Sequence, residues 1–389
     1  MKTTCTTRRQ FLAAAAALPF ALRSFAEAPV APRWVFLGTG KGAGIYRAAW
    51  NAKTGELGKV ELAAAALSPD FFAMHPKLPL MYSVIEGSGA AAQVSAYRVD
   101  AEAGSLTLLN SVSSHGDSPC YVSVDHTGQN AFVADYMGGT VGVFGLGADG
   151  ALQDAANVFD CRKNPACGEL GPVTDRQEAA HMHCTTISPK NDFLLVCNLG
   201  EDAIEVFPIT PGTVKPLGTP IRIPCRAGSG PRHVAFHPNG RWVYCIHELD
   251  ATIDVYDWKV VGGNAKMTLR AGSTVSLLKP GTPITGNSGC EVVVSDNGRY
   301  VYTCVRGTNE IVVYRVGAGN GLLAEQQRLG CDGLIPRYFA FDPTRQWLVC
   351  CNQDGAGNVT VFAHDPATGR IEEHPKTFEA NTAMFVLWV

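Results

Sequence analysis

The chain has 389 residues, a formal net charge of −3, few charged residues and 41 glycines. It carries no basic excess and no Lys/Arg block, which argues against nucleic acid as a partner. Low charge and abundant glycine suit a compact, turn-rich β protein.

The first residues do not read as fold. Thr7-Arg8-Arg9-Gln10-Phe11-Leu12 is followed by the apolar run Ala13 to Leu22 and then Ala26-Glu27-Ala28. A basic start, a short apolar stretch and an A-x-A site make an export signal, and the Arg8-Arg9 pair makes it one of the twin-arginine type. The expectation is a signal over 1–28, a mature domain over 29–389, the twin-arginine machinery as partner and a periplasmic or secreted location. The apolar run is shorter than the ~20 residues a membrane span needs, so no stable anchor is expected.

Strands follow in regular order. Trp34–Leu37 and Gly44–Trp50 come first, without a complete unit of their own. From Pro69 the same unit then recurs: strand, Pro/Asn/Gly turn, strand, short loop, strand, often closed by a Gly hairpin such as Asp149-Gly150 or Thr368-Gly369. Copies begin near Pro69, Ser118, His183, Pro231, Glu291 and Pro336. A period of roughly 50 residues is that of four-stranded propeller blades. Six blades run from Pro69 to Ile371. The two N-terminal strands and Phe385–Val389 combine into a seventh, which closes the ring and removes two exposed sheet edges. The fold expected is all-β, a single seven-bladed propeller.

Thirteen cysteines are present, and Cys5 leaves with the signal. Cys197, Cys304 and Cys351 occupy one slot in three repeats, which suits a small buried apolar role. Cys161 and Cys167, flanking Asn164-Pro165 in a polar segment, are the pair most suited to a disulfide. His237, in His-Pro-Asn-Gly, reads as a turn residue, as do His75 and His126.

In a propeller the innermost strand of each blade lines the central channel. His183, Arg232, Glu291 and Arg337 start such strands, while Glu248 and Arg306 sit just past second strands. All should meet at one mouth of the channel, where polar side chains serve a ligand better than they serve packing.

The pattern GIY, RQE-x-x-HxH, GPRH-x-x-FHPNGR, EL, SDNGRYVY, R-G and PR-x-F-x-F-DP resembles the lactonase family. This is the seven-bladed propeller family of 6-phosphogluconolactonase and the fungal carboxymuconate cyclase. The resemblance runs from about Trp34 to about Ile371. It implies His183, Arg232, Glu248 and Arg306 as catalytic residues and places Arg337 and Glu291 at the channel mouth. His181, His233 and His247 are added as substrate-binding neighbours. The sequence departs from the family pattern at three places: Gly38-Thr39-Gly40-Lys41 stands for the usual GTYT, and His247 and Val305 each stand where an Asn is usual.

Lactone hydrolysis needs a base for the attacking water and donors for the developing oxyanion. Glu248 or His183 can be the base, and Arg232 and Arg306 can hold a carboxylate, a phosphate or the oxyanion. The substrate expected is a small lactone or a carboxylate- or phosphate-bearing analogue. The alternatives are a muconate-type cyclase running the reverse chemistry, or a non-catalytic binding scaffold. In an extended strand His181 and His183 would share a face and, with His233 or His247, could hold a metal. The expectation is instead one catalytic histidine and one hydrogen-bonded neighbour, with no metal and no cofactor.

Overall fold

The computed structural model describes residues 33–389 apart from 41 and 356. The export signal expected over 1–28 lies outside the described residues.

Seven antiparallel sheets of four or five strands form the ring. The first blade is built from Pro69–Met74, Leu80–Ile85, Gln93–Asp100 and Ser105–Ser113, each strand paired with the next. Five further blades start with innermost strands at Pro119, Met182, Pro231, Ser288 and Leu334. The seventh is composite. Its innermost strand is Ala383–Trp388, which pairs with Trp34–Thr39, and Gly44–Asn51 lies outside that. The ring closes as the sequence predicts, with one strand from the C-terminal side and the rest from the N-terminal side.

The alternation of apolar residues in each strand has a simple destination. Among the described residues there are seven buried apolar clusters, each shared by two neighbouring blades. Phe193, Leu195 and Ile204 of the third blade, for example, pack with Val243, Tyr256 and Trp258 of the fourth. Phe36 and Phe385 of the seventh pack with Phe72 and Tyr97 of the first. Cys197, Cys304 and Cys351 are wholly buried in three such clusters, which is the apolar role expected of them.

Recurrent polar staples join the blades at their turns. Tyr82, Tyr244 and Tyr302 sit in second strands, and each donates its hydroxyl to the carbonyl of a hairpin glycine in the next blade: Gly150 at 2.9 Å, Gly321 at 3.0 Å and Gly369 at 3.0 Å. The turn histidines act likewise. His75 Nε2 meets Gly128 O at 3.0 Å and His237 Nε2 meets Gly298 O at 2.8 Å. These contacts satisfy buried polar groups that would otherwise be costly.

Candidate active site

Every innermost strand is irregular near its start, and this irregularity builds the site. In the third blade Met182 pairs with Asn198 and Cys184 with Cys197, so His183 has no partner residue. In the fourth, Pro231 pairs with His247 and His233 with Ile246, which leaves Arg232 over. The same slip leaves Glu291, beside Cys290, in the fifth blade, and Arg337 in the sixth. Asp70, Cys120 and Met384 hold the matching places in the remaining blades. A bulge inserts one residue and re-aims its side chain. Here the extra residues point inward, and Asp70, Cys120, His183, Arg232, Arg337 and Met384 all line the central cavity. The bulge at His183 also breaks the simple alternation expected between His181 and His183.

Loop geometry completes the placement. Asp202, itself at φ 48°, accepts hydrogen bonds from the Gly228 and Gly230 amides at 2.6 and 2.7 Å and so sets the approach to Pro231-Arg232. Gly230 has φ +60°, a conformation L side chains rarely adopt, and a Cβ there would strike Leu249. The Glu248 amide bonds back to Gly230 O at 2.8 Å, which ties the loop carrying Glu248 to the strand carrying Arg232.

The centre of the site is Glu248, almost fully buried. Arg232 Nε donates to its Oε2 at 3.1 Å. Arg306 Nη2 lies 2.9 Å from the same oxygen as an ion pair without hydrogen-bond geometry. Arg176 Nη2 donates to Oε1 at 2.5 Å. His183 Nε2 lies 3.7 Å from Oε2. Burial pushes this carboxyl up, but Arg306 and the neighbouring His183, Arg232 and Arg176 outweigh it, the three guanidinium charges holding Glu248 well below the usual carboxylate range at neutral pH. His183 shifts the other way for an imidazole: burial, then the Arg232 charge and His233, keep it well below its ordinary value. It is therefore neutral at neutral pH, and its buried Nδ1 has no hydrogen-bond partner.

Four expected residues thus converge: His183, Arg232, Glu248 and Arg306. The others are distributed around them. His233 Nδ1 lies 3.1 Å from both Glu291 oxygens, its ring 5.2 Å from that of His183. Arg337 reaches Asp70 Oδ2 at 3.4 Å on the far side of the cavity. His181 engages both nitrogens, with Tyr136 O and Glu178 Oε1, each at 3.0 Å, and stacks on Tyr136. It is a hydrogen-bonded neighbour. His247 is not brought to this cluster. It is fully buried inside the fourth blade, its Nε2 3.0 Å from Asp254 Oδ2, in a network that continues to Arg226. A strand turns successive side chains to opposite faces, and His247 faces away from Glu248.

Two site residues are not among those expected. Arg176 belongs to the RQE triplet and lies outside the strands, while Tyr136 directly follows a second strand, as Glu248 does; Arg176 Nη2 donates to the Tyr136 hydroxyl at 3.1 Å. The RQE triplet is the signal that could have found Arg176. Cys161 and Cys167 form the disulfide their spacing suggests, at the base of the same segment, and the other ten described cysteines are free.

Residues 35–388 match the family described as Lactonase, 7-bladed beta-propeller. The chain belongs to this family. Among its relatives is a 6-phosphogluconolactonase of Bacillus subtilis, 32% identical over 334 residues, covering 86% of this chain and 91% of the relative. A 6-phosphogluconolactonase of Formosa agariphila is 28% identical over 345 residues, 87% of this chain and 94% of the relative. The solved periplasmic gluconolactonase of Pseudomonas aeruginosa is 26% identical with a TM-score of 0.81, over 92% of this chain and 98% of its own. In this lactonase-family propeller the inner-strand bulges bring Asp70, His183, Arg232, Glu291 and Arg337 to the mouth.

Proposed function

We propose that this propeller hydrolyses a small lactone, with His183 as general base and Glu248 as its ionised, arginine-held partner. One observation carries the reading: a buried imidazole with a free nitrogen beside a carboxylate ringed by three guanidinium groups. Each guanidinium makes Glu248 a weaker base. The carboxylate beside Nε2 favours the proton on that nitrogen, which leaves the Nδ1 lone pair for water.

The steps balance on these groups. Water adds to the lactone carbonyl carbon and its proton passes to His183 Nδ1. The carbonyl oxygen becomes an oxyanion, which Arg306 and Arg232 stabilise. The ring C–O bond then breaks, the leaving oxygen takes the proton back from His183, and the open hydroxy acid departs. Names of relatives support the substrate class, a sugar lactone. Purified mature protein is expected to open gluconolactone-type substrates faster than they open spontaneously, and Arg232→Ala to abolish the excess. No rate above background across a lactone panel overturns the reading.

Export is part of the same proposal. The Thr7–Leu12 motif supports it, and a similar solved protein is described as periplasmic. Replacing Arg8 and Arg9 together by Lys should retain the precursor in the cytoplasm, whereas normal export of that variant rules out the twin-arginine route.

A further inference from the structure

The residues between Asp160 and Met182 make the longest link between blades. The body of this link is pinned. Cys161–Cys167 closes its base, the Gly168 amide donates to Glu201 Oε2 at 2.8 Å, and Gln177 Nε2 donates to Leu199 O at 2.9 Å. At Gly200 the link passes so close that a Cβ would lie 1.7 Å from Ala179 O. From this fixed base one long side chain, Arg176, reaches over the mouth to Glu248.

The three guanidinium groups on Glu248 are not equivalent. Arg232 is 2% exposed and also donates to Cys290 O. The Arg306 side chain is 17% exposed, that of Arg176 41%. Arg176 alone holds Oε1, while Arg232 and Arg306 both lie on Oε2. It can therefore leave without stripping the buried carboxylate of its counter-charges, a loss that would be costly. Three cations around one anion also leave positive charge unbalanced at the mouth. Of the other carboxylates nearby, Glu291 lies against His233 and Glu178 against His181, and neither contacts Arg176.

We infer that Arg176 is a specificity-determining residue: it exchanges Glu248 for the ionised group of an anionic lactone, phosphate or carboxylate, and so selects charged over neutral substrates. This rests on the lactonase reading above. A planar guanidinium suits the exchange, because carboxylate and phosphate both offer paired oxygens to its fork, of which Glu248 takes a single nitrogen. A neutral lactone offers nothing for which Arg176 would release Glu248.

The test compares wild type, Arg176→Gln and Arg176→Lys on 6-phosphogluconolactone, on a carboxylate-bearing glucaro-lactone and on neutral glucono-δ-lactone. Arg176→Gln should raise KM for a charged lactone by about ten-fold or more relative to its effect on the neutral one, the size of a lost charge-assisted hydrogen bond. Arg176→Lys should recover part of that ratio. Which charged lactone shows the effect identifies the group as phosphate or carboxylate. Equal losses on charged and neutral lactones overturn the assignment and make Arg176 a support for Glu248 only. If wild type opens none of the three, the lactonase reading fails, and calorimetric titration with inorganic phosphate still decides this one. Binding weakened about ten-fold by Arg176→Gln upholds an anion site; equal binding, or none to wild type, removes it.

Discussion

Arg232 Nε meets Glu248 Oε2 at 3.1 Å where both side chains are at most 4% exposed, so each is the other's condition for being there. Removing one partner of such a pair leaves a buried charge uncompensated. Glu248→Gln keeps the shape and deletes the charge. We predict that it destabilises the fold by about 3 kcal/mol, the order seen when a buried pair is broken from one side. Thermal unfolding would read this directly, together with loss of lactone hydrolysis. A variant as stable as wild type would mean that the guanidinium groups find solvent or another anion.

A base held neutral by burial and the Arg232 charge should stay active in acid. With His183 well below its ordinary value, the acid limb of kcat/KM should begin clearly below pH 6.5. His183→Gln should lower kcat by about 10²–10⁴-fold. An acid limb centred at or above pH 6.5 would point to a different base.

Stability should also bend on the alkaline side. Burial opposes the charge on His247, but Cys245 and Asp254 outweigh it and push the imidazole up to about 10. A raised folded value means that this contribution is complete below pH 6.5 and is lost as pH climbs towards 10. The loss is about 1.4 kcal/mol per pH unit for one proton. Between pH 7 and 9.5 the melting temperature of wild type should therefore fall more steeply than that of His247→Asn. Parallel curves would place the proton elsewhere.

The disulfide should matter to the mouth as well as to the fold. Cys161→Ser with Cys167→Ser opens a short loop, for which chain entropy gives about 2 kcal/mol. The same change loosens the base of the segment carrying Arg176. We expect KM to rise more than kcat falls. Unchanged KM would show that the Glu201 and Leu199 contacts hold the segment without the bond.

The blades are legible in the sequence because turn chemistry and alternation are local: Pro238-Asn239-Gly240 or Asp149-Gly150 state their turns within a few residues. Closure is legible because two orphan strands at the start need a partner, and Ala383–Trp388 supplies one. The meeting of His183, Arg232, Glu248 and Arg306 follows from their repeat positions. The bulges are not legible, since a one-residue slip depends on how each strand pairs across the blade. His247 is a different case: it ends its second strand one residue before Glu248, faces the opposite way and so turns into the blade beside Asp254. Arg176 is hidden for another reason: it lies on a link outside the repeat, whose path depends on Glu201, Leu199 and a disulfide.

The inner strand of the closing blade, Ala383–Trp388, abuts both the first blade and the sixth. Until these residues clear the ribosome, six blades can stack but the circle stays open, with two unsatisfied apolar flanks at the gap. The first and sixth blades, which carry Asp70 and Arg337, then lack the strand that lies between them. Catalytic competence should therefore arrive all at once, when this closing strand docks.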